Sequence, residues 1–236
     1  MNAVIAINFV LRVQRILTGA AALALSGSLA LAAEFTAKVV EKEPPREVDA
    51  AIRKGVQAKA VQLLDGGKAV CEFWFTLELP LKSKPDASEK ALQSFKETSL
   101  LGVVALHTSQ RDYKDNEIAP GLYTARFGLQ PQDGDHLGTA DYPYFAVLIP
   151  AKDDTKLEGF ADVRSMLKAS GKDTSTGHPV VLSLRPVSSE EGGLPRLTEP
   201  VPDHKCLRIN LPAKVGKNDE KTSVTFDLVY KGKGKT

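Results

Sequence analysis

The sequence predicts a mainly β protein, an antiparallel β-sandwich with a few short helices, carried behind an N-terminal export signal. Three observations point there. Apolar residues recur with a period of two through most of the chain beyond residue 55. Clusters of Gly, Pro, Asp and Asn separate the alternating runs. Past residue 32 no apolar run approaches the length of a membrane-spanning helix.

The N-terminus comes first. Arg12 and Arg15 stand immediately before the apolar run 16–31, which closes on Ala30-Leu31-Ala32. This order of charge, apolar stretch and small-residue site is that of a signal peptide cut after Ala32, giving a periplasmic or secreted protein. Gly19, Ser26, Gly27 and Ser28 weaken the run as a spanning helix. The alternative is an uncleaved anchor extended by the apolar stretch 3–11. No cysteine follows the run, which argues against a lipoprotein. The domain reading is a signal peptide over 1–32, an extension with a short helix over 33–55, one β-sandwich domain over 56–230 and a basic tail over 231–236.

Charge excludes one class of partner. The 236 residues hold 31 Lys and Arg against 29 Asp and Glu. Arg12 and Arg15 are the only charges before Glu34, so the exported part carries 29 of each sign and no net charge. Such a balance lacks the basic footprint of a nucleic-acid binder, and Lys231, Lys233 and Lys235 read as a solvated end. No membrane partner is expected once the signal is removed. A carbohydrate or a protein remains as partner.

Val48, Ala51 and Ile52 stand at helical spacing before Gly55, which predicts a short helix. The run 56–64, the turn Asp65-Gly66-Gly67-Lys68 and the run 69–79 predict a hairpin. In the second run Ala69, Cys71, Phe73, Phe75, Leu77 and Leu79 share a face. Further strands are predicted over 100–107, 122–130, 144–149, 180–184, 205–211 and 222–230. Tyr123, Ala125, Phe127 and Leu129 share one face, as do Val224, Phe226, Leu228 and Tyr230. Helices are predicted over 88–96 and over 157–170, the latter with Phe160, Val163 and Leu167 inward.

Cys71 and Cys206 are the only cysteines. An oxidising compartment allows a disulfide between them, and two buried thiols are the other reading.

Composition sharpens over residues 120–139, PGLYTARFGLQPQDGDHLGT. Pro120-Gly121-Leu122-Tyr123-Thr124 resembles the Pro-Gly-x-Tyr-Thr strand opening of extracellular immunoglobulin-like and transthyretin-like sandwich modules, which implies that fold. The longer stretch, with Leu101-Gly102-Val103-Val104 upstream and residues 145–150 downstream, is similar to a family of uncharacterised exported bacterial proteins sharing a DGDH-x-G loop. That resemblance implies an exported β-sandwich and no particular reaction.

In this loop Asp133, Asp135 and His136 place two carboxylates and an imidazole within four residues, close enough to share a divalent metal. Asp112, Asp115, Asp141, Asp153 and Asp154 are candidates to complete such a site, whether for a metal-dependent enzyme or a metal-stabilised binder. The competing reading is a turn, because Asp-Gly is a stock turn dipeptide. The calcium-loop spacing is absent, as are the H-E-x-x-H, G-x-S-x-G, Walker and Cys-x-x-Cys patterns. No cofactor other than that metal is expected. His204 precedes Cys206 by two residues, yet Met166 falls in a predicted helix, so a blue-copper set is not formed. His107 and His178 read as structural.

Trp74 falls on the face opposite Phe73 and Phe75. It either stacks on a sugar, with Tyr142 and Tyr144 extending the platform, or is covered by a helix or second layer. The leading expectation is therefore a non-catalytic exported binding or scaffold module, with the metal site and the Trp74 carbohydrate platform as alternatives.

Overall fold

Asp65 pairs with Lys68 across Gly66 and Gly67, whose φ values of 55° and 79° make the tight two-residue turn that the glycines predict. The computed structural model containing this hairpin describes residues 35–86, 88, 90–112, 116–130, 141–174, 176–187, 193–202, 204–216 and 220–232. The predicted signal peptide, Asp115, the loop residues Asp133, Asp135 and His136, and Lys233 and Lys235 lie outside the described residues.

In chain order the elements begin with β1 (Phe35–Glu41), α1 (Ala50–Lys54), β2 (Lys59–Asp65), β3 (Lys68–Phe75) and β4 (Leu79–Leu81). Next are β5 (Leu100–Leu106), β6 (Gln110–Arg111), β7 (Glu117–Ile118), β8 (Gly121–Leu129) and β9 (Tyr144–Pro150). The last are α2 (Val163–Gly171), β10 (Val180–Pro186), β11 (Arg196–Thr198), β12 (Lys205–Val215) and β13 (Glu220–Lys231). The protein is mainly β, as predicted, and its pairing is antiparallel except where β4 joins β12. One eleven-stranded sheet runs β1-β2-β3-β5-β8-β9-β10-β13-β12-β11, with β4 beside β12. This sheet is continuous and curls into a half-barrel.

Alternation decides which face is inside. Cys71, Phe73 and Phe75 of β3, Phe127 of β8, Leu148 of β9, Ile209 of β12 and Phe226 of β13 all belong to one buried core. Phe95 sits between the halves, its ring centroid 5.0 Å from Phe127 and 5.7 Å from Phe226. Burying each such side chain stabilises by about 1.5–3 kcal/mol. Two smaller clusters cover the outer face. Val48 and Ile52 of the α1 segment pack with Trp74, Leu100 and Val103, and Met166 of α2 packs on Val147 and Ile149.

The helices follow their caps. Asp49 accepts from the Ala51 amide at 2.7 Å, and Gly55 ends α1 where predicted. The second helix starts at Val163, later than predicted, because Asp162 caps it by accepting from the Ser165 amide at 2.7 Å. Met166 is its most buried apolar residue, with Phe160, Val163 and Leu167 flanking. Over 88–96 the chain makes only a 3₁₀ turn, Ala91–Ser94.

Three expectations are corrected. The first strand is β1, which pairs along its whole length with β2, so residues 35–41 belong to the sheet and not to an extension. Second, the strand predicted over 69–79 ends at Phe75. There Thr76 Oγ1 donates to the carbonyls of Gly55 and Glu78, and the chain turns so that Leu77 is 52 % exposed before Leu79 re-enters the core on β4. Third, Cys71 and Cys206 are both free and buried. Cys71 belongs to the inner core. Cys206 alternates with the inward Leu207 and Ile209 and faces outward, so the sheet itself separates the thiols.

Candidate functional site

One end of the half-barrel is open. The first residue of β1, the end of β2, the start of β3, the segment after β5 and the β11–β12 connection meet there around the last turn of β13. They enclose a cleft of about 980 Å³. At its base lies Tyr230, 3 % exposed, whose ring stacks on Phe35 at 5.4 Å between centroids. The strand pattern dictates this position, since Tyr230 continues the inward row Val224, Phe226, Leu228 of β13 to the rim.

The hydroxyl of Tyr230 is buried and makes no hydrogen bond. Gln110 lies close, but its Nε2 donates to Thr108 Oγ1 at 2.8 Å. Burial, followed by the nearby Cys71 and Asp65, pushes the phenol well above its usual value against the Gln110 amide, which acts the other way without meeting hydrogen-bond geometry, so the phenol remains a neutral donor. Two of the carboxylates around it, Glu199 and Glu117, already have partners. Lys205 Nζ meets Glu199 Oε2 at 2.6 Å, and Ser109 donates to Glu117 Oε1 at 2.6 Å. Gly232 passes directly over the His204 ring, where an added Cβ would stand 2.6 Å from Cδ2.

A second cleft of about 690 Å³ lies beside the start of β8, lined by Tyr123, Lys152, Asp173 and His178. Several of its polar groups are paired within the protein. Lys152 pairs with Asp173 at 2.8 Å, and Tyr123 Oη donates to the Ala119 carbonyl at 2.8 Å. That tyrosine bond, reaching four residues back, locks the turn at Pro120-Gly121 and gives the tyrosine a structural reason to be there.

The expected platform does not assemble. Trp74 is 1 % exposed, its Nε1 donates to the Lys42 carbonyl at 2.8 Å, and the α1 segment covers it. Tyr144 lies in the inner core, stacked near Phe127 at 6.4 Å, and Tyr142 packs against the same core. The sheet thus stands between the tryptophan and the two tyrosines. A buried indole on the other face offers no surface to a sugar.

Three of the aspartates named as auxiliary metal ligands have other partners. Asp112 accepts from the backbone and side-chain nitrogens of Asn116 at 2.8 and 2.9 Å. Asp153 pairs with Lys172 at 2.6 Å, and Asp154 with Arg126. Among the described residues no three His, Cys, Asp or Glu side chains are grouped to hold a metal ion. His107 joins a buried network instead, 3.1 Å from Glu72. Burial drives the Cys71 thiol well above its usual range, and burial with Asp227 pushes Cys206 up to about 12, so neither is a nucleophile near neutral pH.

Tyr230 was legible as an inward residue of the last strand. What marked it out, an aromatic hydroxyl ending an otherwise apolar row, had no visible partner in the sequence. No protein-family model, curated protein or solved structure matches the chain.

Proposed function

We propose that this chain is an exported, non-catalytic binding module that takes a small, polar and largely uncharged ligand at the mouth of the half-barrel. One observation carries the reading: a buried phenol with no partner, at the base of a cleft large enough for a small molecule. A buried hydroxyl left unpaired costs about 1–3 kcal/mol, a cost that a ligand acceptor removes. The aromatic pair Phe35–Tyr230 supplies an apolar floor. Binding is favoured over chemistry because Glu199 and Glu117 at the rim are already engaged by Lys205 and Ser109 and both thiols are held protonated.

Export rests on the order of charge, apolar run and Ala-x-Ala site before residue 33. On the fold, we read the half-barrel as a sandwich whose layers stay joined through β9, a reading supported by the core that both halves share.

The test is a binding screen by ligand-observed NMR with monosaccharides, polyols and amino acids, followed by titration of wild type and Tyr230→Phe. The variant keeps the ring and removes only the hydroxyl. Its affinity should fall about fivefold to tenfold, the equivalent of one neutral hydrogen bond. Its stability should equal or exceed that of wild type, because an unpartnered group has been deleted. Ligands that bind both proteins equally would sink the proposal. N-terminal sequencing of the protein recovered outside the cytoplasm should begin at Ala33.

A further inference from the structure

Five buried side-chain polar atoms have no hydrogen-bond partner among the described residues, and three of them lie on the β10-β13-β12-β11 half of the sheet. They are Ser183 Oγ and Arg185 Nη1 on β10 and Thr198 Oγ1 on β11. All three belong to the outer face of the sheet. Arg185 is directly opposite Asp227 of β13, Asp227 is opposite Arg208 of β12, and Arg208 is opposite Arg196 of β11. Each is out of phase with an inward leucine or phenylalanine, Leu184, Phe226 and Leu228, or Leu207. Ser183 precedes Arg185 by two residues and shares its face.

This cross-strand row holds three guanidinium groups and one carboxylate. Arg208 takes the carboxylate entirely: Nε donates to Oδ1 at 2.7 Å and Nη2 to Oδ2 at 3.0 Å, with Asp227 fully buried. Neither Arg185 nor Arg196 forms an ion pair among the described residues, and both remain half-buried. Among the described residues the row therefore carries two positive charges beyond its one carboxylate pair. An unpaired guanidinium N–H beside an unpaired serine hydroxyl is a costly arrangement in a folded protein unless something accepts from both.

We infer that the outer face of β10-β13-β12-β11 binds a doubly charged oxyanion, a phosphate or sulfate group, held by Arg185 and Ser183 with Arg196 completing the charge. Two extra positive charges match a dianion, and the planar guanidinium presents its donors in the geometry that oxyanions take. Asp227 positions Arg208 and shields it, which leaves Arg185 and Arg196 as the groups that meet the ion. The site is separate from the mouth and does not rest on the reading given for it.

The experiment measures the melting of the folded protein at about pH 8 in sodium phosphate, sulfate, acetate and chloride at matched ionic strength, so that screening is the same throughout. Phosphate and sulfate should raise Tm by about 3–6 °C over chloride at saturation, with acetate close to chloride. Arg185→Gln should abolish the difference, Arg196→Gln should weaken phosphate at least fivefold, and Tyr230→Phe should leave it unchanged. If Arg185→Gln does not fold, Ser183→Ala replaces it and should weaken phosphate at least threefold. The inference is overturned if phosphate and chloride give the same Tm in wild type, if acetate matches phosphate, or if the gain survives in Arg185→Gln. Loss of the gain in Tyr230→Phe alone would place the ion at the mouth and overturn it as well. If the ion is held as a group on a larger ligand, a phosphate monoester will compete with inorganic phosphate in the same titration, and free phosphate as the ligand leaves the ester without effect.

Discussion

Two arginines on the outer face of the same sheet live in opposite circumstances. Arg126 of β8 is fully buried, and its guanidinium donors are engaged. Nε and Nη2 grip the two oxygens of Asp154 at 2.6 and 2.9 Å, Nη1 donates to the Thr98 carbonyl at 2.8 Å, and Nη2 also reaches the Lys156 carbonyl. Thr124 Oγ1 supplies a further donor to Asp154 at 2.5 Å, and the Phe160 ring covers the guanidinium at 5.6 Å. Gly159, at φ 96°, is required for that closure, since a Cβ there would stand 2.7 Å from the Thr98 carbonyl oxygen. Arg185 of β10 has a buried N–H and nothing to give it to. The same residue type on the same face is thus saturated in one place and unsatisfied in the other. A saturated arginine ties loops to a sheet, whereas an unsatisfied one is kept at a cost that folding alone does not explain.

The largest effect should come from breaking the saturated side. Arg126→Met leaves the Asp154 carboxylate buried without its partner and should destabilise by about 3–5 kcal/mol in urea unfolding. Converting both residues, Arg126→Met with Asp154→Leu, should recover much of the loss, because a buried pair is worth little against apolar packing of similar volume. A single-variant cost below about 1 kcal/mol would show that the network is dispensable and dissolve the contrast with Arg185.

Glu72 sharpens the comparison, because it is a third outer-face group and belongs with the saturated kind. Its carboxylate accepts from Lys42 at 2.7 Å and Gln62 at 2.5 Å and meets His107 at 3.1 Å. Burial, the largest single influence, acts to raise its pKa, yet the hydrogen bonds from Lys42, Gln62 and His107 together outweigh it and the net direction is down. A carboxyl that is more acidic folded than unfolded adds stability that is complete above the unfolded value and lost as pH falls through the folded one. Wild type should therefore lose this contribution as pH drops below the usual 4.5. Glu72→Gln should be less stable at neutral pH by about 1–3 kcal/mol and show a shallower decline in acid, measured as unfolding midpoint against pH. Equal slopes for the two proteins would remove Glu72 from the saturated class.

Much of the fold was legible because it is local. The Gly66-Gly67 turn, the end of α1 at Gly55 and the inward rows of β8 and β13 all follow from spacings within a dozen residues. The continuity of the sheet was not, since it depends on β9 pairing with β10 and β10 with β13, across more than forty residues of chain in the second case. Trp74 shows the same limit: its face could be read, but the helix that covers it comes from a separate segment. The oxyanion row is the extreme case. Arg185, Arg208 and Asp227 each sit mid-strand on the polar phase, a signal that something must compensate them, and only the register shows that two of the three compensate each other.

The smallest expected effect closes the comparison from the other side. If Arg185 were structural, its removal would cost stability as that of Arg126 does. It has no ion-pair partner among the described residues, so Arg185→Gln takes away no folded-state bond. It also loses the attraction to Asp227 directly opposite and relieves the repulsion from Arg208 and Arg196 further along the row, two effects of opposite sign. In chloride, with no oxyanion present, the variant should lie within about 0.5 kcal/mol of wild type. In phosphate the order should invert, because only wild type gains the ion. A loss above about 2 kcal/mol in chloride would make Arg185 a second Arg126, and the difference between the two arginines would then be one of degree.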